Sequence, residues 1–269
     1  MVEVVQGPLC TRASLAEDLR ALGVQEGDVL LLHASPSSLG WVCGGAVAVV
    51  EALLDALGGA GTLVVPAFSG DNTDPAGWHD PPVPEEWWAE IRAHLPAYDP
   101  HVTPTRGVGR IPETVRTWPG AIRSAHPCTS FAAIGPAAAE LTAHHALDCR
   151  LGERSPLARL EAAGARVLQL GTGFDTCSCF HLAEYRIPGA VRAEFGHAVA
   201  GPRGRAWVTV TDLDLDCDDF AALGADYAAA HPPVTGSVGA AECRLFPLAE
   251  AVAFATAWLP AHRGRPGGS

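Results

Sequence analysis

The string GTGFDTCSCFHLAE, residues 171–184, holds the side chains in this chain best suited to chemistry. A glycine turn is followed by Asp175, Ser178, His181 and Glu184. On a helix starting at Cys179, His181 and Glu184 stand three apart and share one face. A carboxylate beside an imidazole orients the ring and strengthens it as a base. Such a pair suits general-base catalysis, which contributes roughly 10²–10⁴-fold. Asp175 is a second candidate for steadying the ring. The alternative is a surface His/Glu pair near a helix start. Cys177, Cys179 and His181 also raise the question of a metal. C-x-C-x-H is not a usual zinc spacing, and no CxxC or HxxxH accompanies it, so no metal is expected.

Three further segments carry polar groups at loops. In HASPSSLGWVCGG, residues 33–45, His33 ends an apolar run and is followed by Ser35, Ser37, Ser38, Leu39 and Gly40. Hydroxyls and free amides before a helix can hold phosphate, although neither GxGxxG nor a Walker A pattern is present and an ordinary Ser/Gly turn reads equally from spacing. In TPTRGVGRIPE, residues 103–113, Thr105, Arg106, Gly107 and Arg110 combine guanidinium groups with glycines that let backbone approach a ligand. The alternative there is a Pro/Gly loop with solvated arginines. In RSAHPCTSF, Pro127 holds His126 out of helical conformation, so His126 either orients a catalytic group or belongs to the core.

These segments must be held by elements around them. Amphipathic spacing predicts a helix over 14–22, ended by Gly23, a buried strand over 28–33, a helix over 46–57 and a second strand over 62–66. That alternation predicts a parallel α/β unit, and ligands in such sheets sit at the carboxyl ends of the strands. A polar loop over 69–84 precedes short helices over 84–94 and 111–117, then helices over 137–145 and 156–163. A third strand is predicted over 166–170 and a helix over 179–185. After about residue 190 the pattern predicts an antiparallel pair, 191–200 with 205–211, then a helix over 218–230, a strand over 240–245 and a helix over 247–259. Residues 263–269 read as frayed. The expected fold is α/β, a central mostly parallel sheet flanked by helices, with a smaller β-rich C-terminal portion. It forms one domain over 1–269, divided into a core of about 10–190 and a subdomain of about 191–260.

Composition narrows the partners. The net charge is −12 and the sequence contains no lysine, so every basic residue besides histidine is arginine. An acidic chain argues against nucleic acid and suits a cationic ligand, though acidity also serves solubility. No apolar run reaches the roughly 20 residues of a membrane span, and the start lacks a signal-peptide pattern. The eight cysteines are scattered, which points to free thiols in a reducing compartment. A cytoplasmic enzyme without membrane association is expected.

At these segments the sequence resembles the aminoglycoside 3-N-acetyltransferases, the antibiotic N-acetyltransferase family. The likeness is carried by long strings in order: HASPSSLGWVCGGAVAVVEALLDALG, GTLVVPAFSGDNTDP, PPVPEEW, PAYDP, TPTRGVGRIPE, RTWPGAIRSAHP, SPLARL, GTGFDTCSCFHLAEYR and GAAECRLFP. They span roughly residues 10–260. The resemblance implies the family's own α/β fold, distinct from the GNAT acetyltransferases. It implies acetyl-CoA as cosubstrate and, as acceptor, the 3-amino group of the 2-deoxystreptamine ring of an aminoglycoside, which would be inactivated. His181 matches the family's catalytic base. His33, Ser35, Ser37, Ser38, Leu39, Gly40, Thr105, Arg106, Gly107 and Ser178 match donor-binding positions, and Asp71, Asp175 and Glu184 match acidic positions near the substrate. A homodimer is compatible with it. The family commonly has Thr-Ser-Leu before its histidine, where this chain has Ser178, Cys179 and Phe180. The rival expectations are an acetyltransferase for another amine such as a biosynthetic intermediate, a non-catalytic binding protein for CoA or an antibiotic, and a metal-dependent amidohydrolase.

Overall fold

A computed structural model describes residues 8–263. β1 (Leu9–Cys10) leads into α1 (Arg12–Leu22), which Thr11 caps reciprocally with Ser14 and Gly23 ends at φ 105°. β2 (Val29–Ala34), β3 (Trp41–Val42), α2 (Gly45–Leu57) and β4 (Thr62–Pro66) follow. The middle of the chain forms α3 (Trp88–His94), α4 (Arg110–Arg116), β5 (Ile122–Arg123), β6 (Phe131–Ile134), α5 (Ala138–Thr142) and α6 (Pro156–Ala162). Then come β7 (Arg166–Leu170), α7 (Phe180–Glu184), the hairpin of β8 (Arg192–Gly201) and β9 (Gly204–Leu213), and α8 (Phe220–Ala230). β10 (Val234–Val238), β11 (Ala241–Pro247) and α9 (Leu248–His262) complete it.

The main sheet has the order β10-β11-β7-β2-β4-β6-β5. β2 pairs in parallel with both β4 and β7, and the outer pairings are antiparallel. Consequently β10, β7, β2, β4 and β5 run one way, and only β11 and β6 run the other. The central strands are buried on both faces, as parallel strands must be. Leu30 and Leu32 face one core with α1, α2 and α4, while Leu31 between them faces the other with α7, α8 and α9. This is the two-residue period of a strand. The helix after β2 covers one face and the helix after β7 the other. A crevice therefore opens where the carboxyl ends of these neighbouring strands part.

Several expectations change. The helix expected over 84–94 is a 3-10 turn, Glu85–Trp87, followed by α3. The helix expected over 137–145 stops at Thr142, because His144 adopts φ 48° and His145 turns inward to Ser124 and the Arg150 carbonyl. The segment after residue 190 is divided between two sheets. The β8–β9 hairpin stands alone, whereas β10 and β11 extend the main sheet and α9 packs into its core. Arg263, expected to be frayed, is held by four side-chain hydrogen bonds; residues 264–269 lie outside the described residues. No helix among the described residues is long and apolar enough to cross a membrane.

Candidate active site

The loop after β7 is seated against the loop after β2. Gly171 has φ 69°, and a Cβ there would lie 1.7 Å from the Ser38 hydroxyl oxygen, so only glycine fits. The chain then makes a 3-10 turn, Phe174–Thr176, and enters α7. Phe180, the bulky departure from the family pattern, is fully buried and packs edge-on against Phe220 at 5.3 Å. That anchor presents His181 and Glu184 on one side of the helix. His181 Nδ1 lies 2.5 Å from Glu184 Oε2. With a carboxylate as partner, Nδ1–H donates and Nε2 is left as the basic nitrogen. The ring packs against Phe220 at 4.7 Å. Glu184 is 2 % exposed, and its Oε1 accepts from the Asp216 amide (3.1 Å) and Arg263 Nη1 (2.5 Å). Both oxygens are thus occupied within the fold. Glu184 is held between His181 and Arg263, at the edge of a cavity of about 340 Å³.

Asp175 stands apart from the imidazole. It is exposed, its carboxylate sits over Gly173, and no hydrogen bond to His181 forms. Cys177 and Cys179 are buried with their sulfurs 3.4 Å apart. Hydrogen bonding between them and burial push the Cys179 thiol well up, so it is a poor nucleophile. Among the described residues, no group of three or more His, Cys, Asp or Glu side chains is arranged to hold a metal.

A cavity of about 240 Å³ occupies the crevice, lined by Leu32, His33, Ala34, Pro66, Phe68, Gly107, Val108, Pro112, Thr172, Thr176 and Ser178. His33 is 7 % exposed, and its Nε2 is buried without a partner. Burial, reinforced by the charge of His181, pushes His33 down to about 4, so its imidazole is neutral near pH 7. Of the expected donor-binding residues, His33, Gly107 and Ser178 meet here. The others do not line this cavity and have partners of their own. Ser38 donates to the Ser35 carbonyl at 2.6 Å, and Ser35 and Ser37 bond each other. Leu39 is fully buried and its carbonyl holds the Ala240 amide, while Gly40 packs on Pro8. These two are scaffold. Thr105 donates twice to Glu113. Burial works to raise Glu113, but bonds from Arg116 and Thr105 prevail and hold it at about 2.

Gly107 joins the crevice to an open cavity of about 510 Å³ lined by Ala46, Thr105, Gly109, Arg110, Glu113 and Thr114. Arg106 is directed elsewhere. It pairs with Asp71 at 2.8 Å and bonds the Asp80 carbonyl, beside a cavity of about 380 Å³ that includes Trp78 and His79. The expected phosphate partner and the expected substrate carboxylate are therefore bound to each other. Arg110 makes no ion pair among the described residues. His126 is fully buried, accepts from the Cys128 and Thr129 amides, and stacks near His145 and His197; it is core.

Two features escaped the reading of motifs. Asp214 and Asp216 line a cavity of about 340 Å³ behind α7, with Ile187, Leu259 and Arg263. The acidic run DLDLDCDD, residues 212–219, was its visible signal. Arg263 itself had none, since 79 residues separate it from Glu184.

A histidine paired with a buried carboxylate, on the helix that follows a cavity at the carboxyl ends of parallel strands, is an arrangement that suits group transfer. The aminoglycoside 3-N-acetyltransferase family pattern matches residues 31–260. The SPbeta prophage-derived aminoglycoside N(3')-acetyltransferase-like protein YokD of Bacillus subtilis (strain 168) is 45 % identical over 93 % of this chain and 92 % of its own. The aminoglycoside N(3)-acetyltransferase VIII of Streptomyces fradiae is 39 % identical over 100 % and 98 %. The crystal structure of YokD superposes with a TM-score of 0.93 at 44 % identity, covering 95 % of each chain. AAC-IIIb in a binary complex with CoASH gives 0.84 at 36 % identity (97 % and 100 %), and AAC-VIa bound to sisomicin 0.85 at 35 % (94 % and 98 %). The chain belongs to the aminoglycoside 3-N-acetyltransferase family and is an acyltransferase of that kind.

Proposed function

We propose that this enzyme transfers the acetyl group of acetyl-CoA to the 3-amino group of the 2-deoxystreptamine ring of an aminoglycoside, in a ternary complex and with His181 as base. The observation that carries the reading is the His181–Glu184 pair, on the helix that follows the crevice-lining Ser178 and near enough for the charge of His181 to act on His33 in that crevice. Relatives that bind CoASH and sisomicin share the fold over nearly their whole length, which supports both ligand classes. The crevice suits a pantetheine arm. It is narrow, mostly apolar, and contains the unpartnered buried Nε2 of His33. Arg110, beside the open cavity, takes over from Arg106 as the cation for the donor's phosphates.

Acetyl-CoA supplies the thioester. His181 Nε2 takes the proton of the attacking amine as the nitrogen bonds to the thioester carbon. Glu184 keeps Nδ1–H in place and faces the imidazolium that forms. The Ser178 hydroxyl and nearby backbone amides stabilise the developing oxyanion. The C–S bond then breaks, CoA departs as the thiolate, and the proton on His181 can neutralise it. The buried Cys179 thiol, pushed well up, argues against an acetyl-Cys179 intermediate. Asp71, Asp214 and Asp216 are the exposed carboxylates placed to attract a polyamine. The free cysteines accord with a reducing cytoplasmic setting. The test is CoA release with gentamicin, kanamycin, neomycin and apramycin, for wild type and His181→Ala. Turnover lost in the variant supports the reading, and turnover retained refutes His181 as base. Donor binding without turnover of any drug would favour a different amine acceptor.

A further inference from the structure

We infer that Arg263, in the turn after α9, is a positioning residue for the reaction: it fixes Glu184 and Phe220 together, and through them the ring of His181. The inference rests on the reading of His181 as the base. The guanidinium uses both edges. Nη1 donates to Glu184 Oε1 at 2.5 Å, while Nε and Nη2 form a fork onto Asp219 at 2.7 and 2.6 Å. Nη2 also donates to the Asp216 carbonyl at 2.6 Å. The Asp216 amide in turn donates to the same Oε1 of Glu184. One planar group therefore closes a ring of contacts between α7 and the segment that begins α8.

That segment ends in Phe220, the residue after Asp219, whose ring lies against the imidazole. The guanidinium carbon is 6.0 Å from the centre of the same ring. Arg263 thus supports two walls of His181, the carboxylate at Nδ1 and the aromatic surface on its face. With Oε1 filled by Arg263 and the Asp216 amide, only Oε2 is left for the imidazole, which fixes the carboxylate's rotation. Without Arg263, a carboxylate that is 3 % exposed keeps a single backbone donor on Oε1 and loses its fixed cation. Lysine could supply charge but not the two-edged planar fork. The side chain is 22 % exposed, so the contact is reachable yet largely shielded from screening.

Two measurements test this. The first is a double-mutant cycle of Arg263→Met and Glu184→Gln, assayed for CoA release with acetyl-CoA and sisomicin. Arg263→Met is expected to lower kcat about 10- to 100-fold, the usual effect of removing a partner that orients a functional histidine, with KM for acetyl-CoA changed less than about 2-fold. In the Glu184→Gln background the same change is expected to cost clearly less, because only the Phe220 wall is then left for Arg263 to hold. Arg263→Lys should recover part of kcat. Full additivity, or an unchanged kcat in Arg263→Met, overturns the inference. The second is ¹⁵N-histidine NMR, which needs no turnover. The downfield Nδ1–H resonance that His181→Ala removes is expected to disappear in Arg263→Met while the other histidine signals persist; its retention there overturns the inference. A His181→Ala enzyme that turns over like wild type would sink the base reading itself. An inactive His181→Ala beside a fully active Arg263→Met sinks only the role of Arg263.

Discussion

Replacing Gly171 by alanine attacks the seam on which the crevice depends. A Cβ at this position would come within 1.7 Å of Ser38 Oγ, 2.6 Å of Ser38 Cβ and 3.3 Å of the Ala241 side chain. The hydroxyl could rotate away only by giving up its 2.6 Å bond to the Ser35 carbonyl, and the Ser38 Cβ would still be too close. At φ 69° an alanine also carries about 1–2 kcal/mol of left-handed strain. Loss of the hydrogen bond adds about 1 kcal/mol, and residual overpacking about 1 more. The expected destabilisation is about 3–4 kcal/mol. For a chain of this size that corresponds to a fall in Tm of roughly 6–16 °C. Because Gly171 joins β7 to the loop leading to His181, kcat should fall as well. Differential scanning calorimetry on Gly171→Ala and on Gly171→Ala/Ser38→Gly separates the contributions. The second change removes both clashing atoms and should return only the overpacking contribution of about 1 kcal/mol, because the Ser38 hydrogen bond is lost in both variants. A Gly171→Ala protein with the Tm of wild type would refute the claim that the two loops are in contact here.

Other expectations follow from the same geometry. Glu184→Gln should lower kcat by about 10²-fold or more, whereas Asp175→Asn should leave kcat within about 2-fold; steady-state kinetics of both variants decide which carboxylate orients the base. Arg110→Gln should raise KM for acetyl-CoA by about 10-fold through loss of a charge-assisted contact, and an equal effect from Arg106→Gln alone would show the phosphates to lie at the Asp71 pair instead. Acid should destabilise the fold through its buried histidines. Burial pushes His145 and His33 down to about 4 and His126 well below its ordinary value. Below pH 6.5 the unfolded chain takes up protons that these folded rings refuse, so stability is intact above about pH 7 and drains away between pH 6.5 and 4. At pH 5.5 the loss is about 1 kcal/mol per ring, or roughly 6–12 °C in Tm for three. A Tm that stays flat from pH 7 to 5 contradicts this.

Elements defined by their own neighbours were readable from the sequence. β4 and β7 are short apolar runs bounded by glycine or loop residues, and they fall on the expected positions. The α7 dyad was readable because both members lie within one helical turn. Strands that exist only through their partners were not. β10 reads VTGSV and buries only Val238, so nothing in its pattern distinguishes it from loop until β11 is beside it. Loop strings are similarly mute about direction. HASPSSLG contains His33, which lines the cavity, and Leu39, which is core, with no mark to tell them apart. Arg106 and Arg110 flank the same glycines, yet one is bound to Asp71 and the other is not.

The path of the tail shows how Arg263 reaches Glu184. β11 runs antiparallel to β7 and pairs with it from Cys243–Leu170 to Pro247–Arg166. It therefore ends beside the start of β7. From there α9 begins at Leu248 and crosses the buried face of α7, with Leu259 and Trp258 in the same core as Phe180 and Leu182. A 15-residue helix advances about 22 Å. That distance carries the chain back along the sheet to the end where α7 lies, and the next residue is Arg263. Had β11 been parallel to β7, its following helix would have started at the crevice and finished at the opposite edge. The antiparallel insertion of β11 is what brings a residue from the end of the chain to a carboxylate in its middle. The motif supplies the imidazole and its carboxylate, and the topology supplies the cation that holds them still.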